Sequence, residues 1–345
     1  MQNRKCFFGA ANGYSGFRSN FDRIFAYPKV EKLFIIKGGP GTGKSTLMRK
    51  IEQRYRDRFD TTVILCSSDP ASLDGVLISA GDRTVGIIDG TAPHVMEAKY
   101  PGAVEELIDL GEAFDIRALV KNKTEIITEA DTKKRHYIRA YNSLRLAGEI
   151  HGYIRDNLFN KECYSEAERL LSSVIEDEKT DEKRCETSPF LIGSFSKNGY
   201  AYTQEYPGNK RSISISNDGI IGYLLMSEIA EIFRKRHVGF TAFSSAFSTD
   251  FIDMIKTDRG VYSLSNAQKC DLDLESLKKK LDGYDEYKTT YDHYIEAAQA
   301  SLNMASVSHF KLESIYSSSI DFTKNERRYE QAVKSIDEVL INNVD

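Results

Sequence analysis

No stretch of this 345-residue chain approaches the ~20 consecutive apolar residues needed to cross a bilayer. Its first residues, Met1-Gln2-Asn3-Arg4-Lys5-Cys6-Phe7-Phe8-Gly9, lack the apolar core of a signal peptide. A soluble chain with no membrane partner is expected. The five cysteines, Cys6, Cys66, Cys163, Cys185 and Cys270, are odd in number and scattered. No CxxC pair or Cys/His cluster suggests zinc, and no spacing suggests a disulfide framework, so a reducing cytoplasm fits best. A surplus of charge of one sign is missing too. The formal net charge is −4, which gives no general attraction to nucleic acid or an anionic membrane. The densest basic run, Lys133-Lys134-Arg135, reads as a solvated helix face. With 41% hydrophobic and 28% charged residues, the composition is that of a globular protein long enough for two or three domains.

One motif stands out. Gly38-Gly39-Pro40-Gly41-Thr42-Gly43-Lys44-Ser45 is a complete phosphate-binding loop. It follows the apolar run Leu33-Phe34-Ile35-Ile36 and precedes Thr46-Leu47-Met48-Arg49-Lys50-Ile51, which reads as a helix start. The glycines permit backbone angles that turn successive N–H groups toward one point at the helix's positive end. Gly39, Pro40, Gly41, Thr42, Gly43, Lys44, Ser45 and Thr46 are therefore the expected nucleotide contacts. Lys44 would bridge the β- and γ-phosphates, and the Ser45 hydroxyl would coordinate Mg²⁺. The bound ligand is expected to be a nucleoside triphosphate, ATP first. No Asn-Lys-x-Asp guanine motif is present, since Asn122-Lys123-Thr124-Glu125 ends in Glu.

The chain also repeats itself. Adding 178 brings Leu47, Met48 and Ile51 onto Leu225, Met226 and Ile229, and Arg56 and Arg58 onto Arg234 and Arg236. Phe8-Gly9-Ala10 resembles Ile192-Gly193-Ser194, and His136-Tyr137-Ile138 resembles His293-Tyr294-Ile295. The differences carry more meaning. Lys44 meets Gly222, Ser45 meets Tyr223 and Gly43 meets Ile221, so the second unit is expected to keep a strand–helix frame without a working site.

The remaining site residues are sought where neighbouring strands end. Thr84-Val85-Gly86-Ile87-Ile88-Asp89 is an apolar run ending in an aspartate that would hold Mg²⁺ with Ser45. Its repeat counterpart at the same offset is Ala267. Gly90 follows, so the glutamate that polarises water in many ATPases is missing. Thr91 would sense the γ-phosphate and His94 would sit at the phosphate edge, although a lone histidine after a turn also serves as a structural hydrogen-bonder. Asp69 has two readings: an N-cap with Pro70 at the first helical position, or an orienter of water or an acceptor. Its counterpart at that offset is Phe247. Residues 103–184 and 272–342 have helical periodicity, with Leu144, Leu146, Ile150 and Ile154 on one buried side. These helices would form a lid, a partner surface or a clamp.

Taken together, Phe8-Gly9-Ala10, Gly38 to Thr46, Cys66-Ser67-Ser68-Asp69-Pro70 and Asp89-Gly90-Thr91-Ala92-Pro93-His94 carry a resemblance. The chain is similar to the bacterial tandem P-loop proteins labelled ATPase or nucleotide-kinase-like. The likeness is strongest over the first 110 residues. In that family both halves commonly carry a P-loop and an Asp-Ser/Gly-Thr-Ala-Pro-His motif; this chain departs at Ile221, Gly222, Tyr223 and Ala267. The resemblance implies ATP binding and adds little about substrate.

The expected architecture is α/β: a P-loop NTPase three-layer αβα core, duplicated, each copy with a helical extension. The expected units are an active core over 1–110, an extension over 111–187, a degenerate core over 188–271 and a second extension over 272–345. The expected activity is ATP hydrolysis coupled to rearrangement of the halves. The alternatives are a kinase passing the γ-phosphate to a small molecule beside Asp69, and a sensor that binds ATP without turnover. An unidentified acceptor or protein partner is implied.

Overall fold

The structure, a computed structural model, describes residues 4–175, 184–203, 211–267, 269–272 and 274–341. The parts of the expected units at 1–3, 176–183, 204–210, 268, 273 and 342–345 lie outside it. The first half contains β1 (Arg4–Phe8), β2 (Ala10–Gly13), β3 (Gly16–Ser19), α1 (Phe21–Ile24), β4 (Lys32–Lys37) and α2 (Lys44–Tyr55). Next come β5 (Asp60–Leu65), β6 (Leu73–Ala80), β7 (Arg83–Asp89), β8 (Glu105–Asp109), α3 (Ile116–Lys121), α4 (Lys123–Asn157) and α5 (Lys161–Ile175). The second half contains β9 (Glu186–Thr187), β10 (Gly193–Ser196), β11 (Gly199–Tyr202), β12 (Arg211–Ser216), α6 (Ile221–Lys235) and β13 (Thr241–Ser244). It ends with β14 (Ile252–Lys256), β15 (Gly260–Ser265), α7 (Glu275–Lys278), α8 (Tyr284–Ser317) and α9 (Thr323–Leu340).

The chain is mixed α/β. One sheet has six strands in the order β1-β5-β6-β7-β4-β8, and the other has five in the order β12-β15-β14-β13-β9. Their pairings follow the same pattern. β4 runs parallel to β7 as β12 does to β15, and β5 parallel to β1 as β13 does to β9. The strand between them is antiparallel to both neighbours in each sheet. A lone parallel bridge from Ile215 to Leu272 stands where β8 pairs with β4.

The layering differs from the expected αβα sandwich. Between β4 and β7 only the β4–β5 connection carries a helix, α2; β5, β6 and β7 follow one another as antiparallel neighbours. Hairpins place no helix on a sheet face, so one face of each sheet needs another cover. Each sheet covers the other. Leu33, Ile35, Ile64, Leu77 and Ile88 from the first share one core with Phe243, Met254 and Val261 from the second. The order of layers is helix, sheet, sheet, helix.

The outer faces are closed by exchange. Phe34, Ile36, Val63, Val76 and Ile87 pack under Leu47, Met48 and Ile51 of α2 and under Ala332, Ile336 and Leu340 of α9. Ile213, Ile215, Ile255 and Tyr262 of the second sheet pack under α6 and under Cys163, Ala167 and Leu171 of α5. Each half's last helix therefore completes the other half's core. α4 and α8 lie side by side, antiparallel, as Lys311 meeting Glu129 and Tyr287 meeting Tyr153 show. Buried Ala140, Leu144, Ala147, His151 and Ile154 recur on α4 at alternating steps of four and three, the spacing of a packed helix seam. Among the described residues no helix is long and apolar enough to cross a membrane.

Ile336 has no exposed surface on α9. Ile336→Ala is expected to cost about 3 kcal/mol, the typical penalty for such a cavity. The same change at the exposed Ile127 should cost less than about 0.5 kcal/mol. Urea denaturation of both variants checks this, and equal midpoints would show that α9 is not docked on the first sheet.

Candidate nucleotide-binding site

The loop from Gly38 joins β4 to α2 and has the backbone its glycines predict. Gly38, Gly41 and Gly43 have φ of 154°, 68° and 90°, a region that side chains disfavour. Gly43 is the N-cap of α2, so the loop ends at the positive pole of that helix. Among the described residues no protein acceptor takes the amides of Gly41, Thr42 or Gly43. Thr42 is buried, and its Oγ1 donates to the Gly39 carbonyl at 2.9 Å. Pro40 lies half-buried in the loop, and Thr46 is exposed on α2.

Lys44 and Asp89 meet, whereas the sequence expectation set Asp89 across from Ser45. β4 and β7 are adjacent parallel strands with Ile36 paired to Asp89. This register brings Lys44 Nζ within 3.6 Å of Asp89 Oδ2, both largely buried. Lys44 also donates to the Gly38 and Gly39 carbonyls at 3.2 and 2.8 Å. Ser45 Oγ accepts the Leu73 amide at 3.0 Å. Asp89 Oδ1 accepts from the Thr91 amide and hydroxyl at 2.9 and 2.5 Å. Lys37 donates to the carbonyls of Gly90 and Met96 and pairs with Glu97 at 2.7 Å, which fixes the segment carrying Thr91 and His94. A Cβ on Gly90 would stand 2.3 Å from Ile35, so an acid after Asp89 has no room.

His94 is buried against Phe21 and faces Asp74, with Nε2 3.9 Å from Asp74 Oδ2. Asp74 escaped the sequence reading because it sits inside an apolar strand with no motif around it. Burial pushes its carboxyl up to about 6, against the pull of His94. Burial likewise raises the thiol of its neighbour Cys66. Asp69 is not followed by a helix. Its Oδ1 accepts the Ala71 amide at 3.3 Å in a tight turn before β6, and Oδ2 pairs with Lys197 at 2.6 Å.

Elements far away in sequence roof the loop. A Cβ on Gly41 would lie 2.6 Å from the Glu313 carbonyl of α8, and one on Gly39 would lie 3.1 Å from Tyr316. Asn325 of α9 donates to the Thr42 carbonyl at 2.9 Å. From α4, Lys133 is half-buried and its ammonium is pushed down by burial and by Lys44. The basic run 133–135 is therefore not wholly a solvated face. Tyr137 donates to Ser68 beside Asp69 at 3.0 Å.

Strand pairing replaces the fixed offset with a measured equivalence. The Cys66 amide bonds the Ser72 carbonyl as Ser245 bonds Phe251, and Ser72 bonds Asp69 as Phe251 bonds Ser248. Asp69 thus corresponds to Ser248, not Phe247. Ser248 caps the Asp250 amide at 3.1 Å as Asp69 caps Ala71. Val76 pairs with Ile87, and Ile255 with Tyr262. With Ile36–Asp89 matched by Ile215–Leu264, the counterpart of Asp89 is Leu264, not Ala267. A Cβ on Gly222 would stand 2.9 Å from Leu264, so an apolar contact occupies the place of the lysine–aspartate pair. Ile221 and Tyr223 are buried, and Tyr291 of α8 closes on Gly219.

Comparison with sequence families, with curated proteins and with solved structures gives no match in any of the three. The site is therefore read from its own geometry.

The equivalence also pairs Asp74 with a second buried aspartate, Asp253. Burial pushes Asp253 up to about 6, although Tyr200 donates to it at 2.6 Å and Ser245, Arg18 and Tyr223 face it. A carboxyl whose folded pKa lies above its unfolded value, about 3.9, favours folding below that value and loses the benefit as pH rises through 6. Asp253→Asn should therefore be more stable than the parent at pH 7.5, by about 2 kcal/mol. At pH 4 the difference should nearly vanish. Thermal melts across that range check the sign; a constant difference would show that Asp253 does not titrate within the fold.

Proposed function

We propose that the first half binds Mg-ATP and hydrolyses it, coupling turnover to movement of the helices that roof the loop. The carrying observation is the approach of Lys44 to Asp89 at 3.6 Å, at the ends of adjacent parallel strands beside a glycine loop with unclaimed amides. On binding, Lys44 would exchange the Gly38 and Gly39 carbonyls for the β- and γ-phosphates. The loop amides would hold phosphate oxygens, and Ser45 and Asp89 would hold Mg²⁺, whose charge offsets that of the phosphates. Thr91 fixes the Asp89 carboxylate. Glu313, Tyr316 and Asn325 lie against the loop, so phosphate occupancy has to be felt by α8 and α9.

In this reading the chain is a duplicated P-loop protein working in a cytoplasmic setting. Its second half has an apolar contact in place of the phosphate-binding lysine and the metal-binding aspartate. A second reading, transfer of the γ-phosphate to a small-molecule acceptor, is favoured by one feature: the fold leaves no room for a water-polarising acid at position 90.

Phosphate release from Mg-ATP separates the readings. Steady release reduced at least 100-fold by Lys44→Ala is expected, about 2.7 kcal/mol of lost stabilisation. ADP formed only with an added acceptor would support the kinase, and tight binding without turnover would support a sensor. Unchanged binding and turnover in Lys44→Ala would refute all three. A labelled ATP analogue should bind at one per chain; two would contradict the inactivity of the second half. Hydrogen exchange at residues 309–325 should change when the analogue binds, and no change there would remove the coupling.

A further inference from the structure

The two buried aspartates differ in a way that the nucleotide reading does not use. Asp253 Oδ2 accepts the Tyr200 hydroxyl at 2.6 Å, with Ser245 beside it, and Asp253 Oδ1 has no hydrogen-bond partner among the described residues. Its equivalent, Asp74, keeps the Cys66 thiol as its hydrogen-bonding neighbour, while nearby Tyr137 gives its hydroxyl to Ser68 instead. Among the described residues Asp74 Oδ2 is buried without a hydrogen-bond partner, and so are both ring nitrogens of His94. Asp74 and His94 are 5% and 8% exposed. Three unpaired polar atoms in one buried spot are costly, because each loses water and gains nothing in return. A neutral core histidine would normally give its N–H to a carbonyl or carboxylate; this one is held 3.9 Å from Asp74.

Ligand atoms of Asp74, Asp89 and His94 all lie within 4.8 Å of one another. Donors on opposite sides of a cation with bonds of about 2.1 Å are about 4.2 Å apart, so the three need only a small inward movement. Two carboxylates with one imidazole make a donor set that Mg²⁺ seldom takes, since Mg²⁺ favours oxygen ligands; the imidazole favours a first-row transition ion.

We propose that Asp74, Asp89 and His94 form a binding site for a divalent first-row transition-metal ion, of the Mn²⁺ class. The site goes beyond the proposed Mg-nucleotide site, with which it shares only Asp89, and it does not require that the chain bind ATP. The second half has lost it: Leu264 replaces Asp89, and Asp253 is turned to a tyrosine hydroxyl.

The probe is Mn²⁺ added to the untagged full chain without nucleotide, followed by electron paramagnetic resonance of free and bound ion. One Mn²⁺ per chain at micromolar concentration is expected. Asp74→Asn and His94→Gln should each weaken it at least tenfold, with circular dichroism confirming that both variants fold. Lys44→Ala should abolish nucleotide binding yet hold Mn²⁺ at least as tightly as the parent, because it removes a cation competing for Asp89. Pulsed measurements on the parent protein should show coupling of the bound Mn²⁺ to an imidazole nitrogen, a readout independent of any variant. No binding below millimolar Mn²⁺, binding without nitrogen coupling, or binding indifferent to both substitutions would overturn the proposal. Failure of the Lys44→Ala nucleotide test alone would leave it standing.

Discussion

Burial of four sheet faces with too few local helices is the constraint that shapes this molecule. Each sheet contains hairpins that carry no crossover helix, so α2 and α6 cover only part of one face each. The shortage is met by pressing the inner faces together and by exchanging α5 and α9 between the halves. A buried Val, Leu, Ile or Phe contributes about 1.5–3 kcal/mol; with Phe34, Ile36, Val63, Val76 and Ile87 on the first outer face, an uncovered face would forfeit a large part of a domain's net stability. Neither half closes its own core, and that puts segments distant in sequence beside the loop at Gly38.

The exchange also brings the helices to the chemistry. To reach the first sheet, the chain after α8 must turn next to the loop at Gly38, and the end of α8 with the start of α9 sets Glu313, Tyr316 and Asn325 on Gly41, Gly39 and Thr42. The other end of the α4–α8 pair lies on the second loop, where Tyr291 covers Gly219 and Tyr284 bonds Asp218. One stiff pair of helices therefore touches both loops. The second loop is closed over by Tyr291 and Tyr284, and among the described residues no protein group claims the amides of Gly41, Thr42 and Gly43 in the first.

Much of the local structure was legible from sequence because it follows short-range rules. The glycines at 38, 41 and 43, the apolar run ending at Ile36 and the one ending at Asp89 specify strand, loop and helix. Their adjacency follows from what the motif needs. Longer-range features were not legible. A constant offset of 178 holds for α2 and α6, where Leu47, Met48 and Ile51 match buried Leu225, Met226 and Ile229. It fails in the strands because the turns between them differ in length. A one-residue slip reverses which face a strand residue occupies. A one-residue difference hid the Asp69–Ser248 match, which favours a capping role for Asp69, and a three-residue difference hid the Asp89–Leu264 match. Asp74 and His94 were separable by sequence but not joinable: their meeting depends on β6 lying beside β7 and on Lys37 holding the loop after Asp89.

The differences between the two halves are coherent rather than scattered. Replacing lysine alone would leave Asp89's counterpart as an uncompensated buried carboxylate, and replacing the aspartate alone would strand an ammonium; either is strongly destabilising. Gly222 with Leu264 removes both charges and fills the space with a close apolar contact. At Asp253 the Tyr200 hydroxyl pairs one carboxylate oxygen. Asp74 has the Cys66 thiol beside it, and it faces another carboxylate and a histidine. An arrangement that leaves buried polar atoms unpaired costs stability in every molecule that folds. At the equivalent positions of the second half Leu264 stands for Asp89 and Tyr200 pairs Asp253, so the unpaired cluster around Lys44 and Asp89 belongs to the first half.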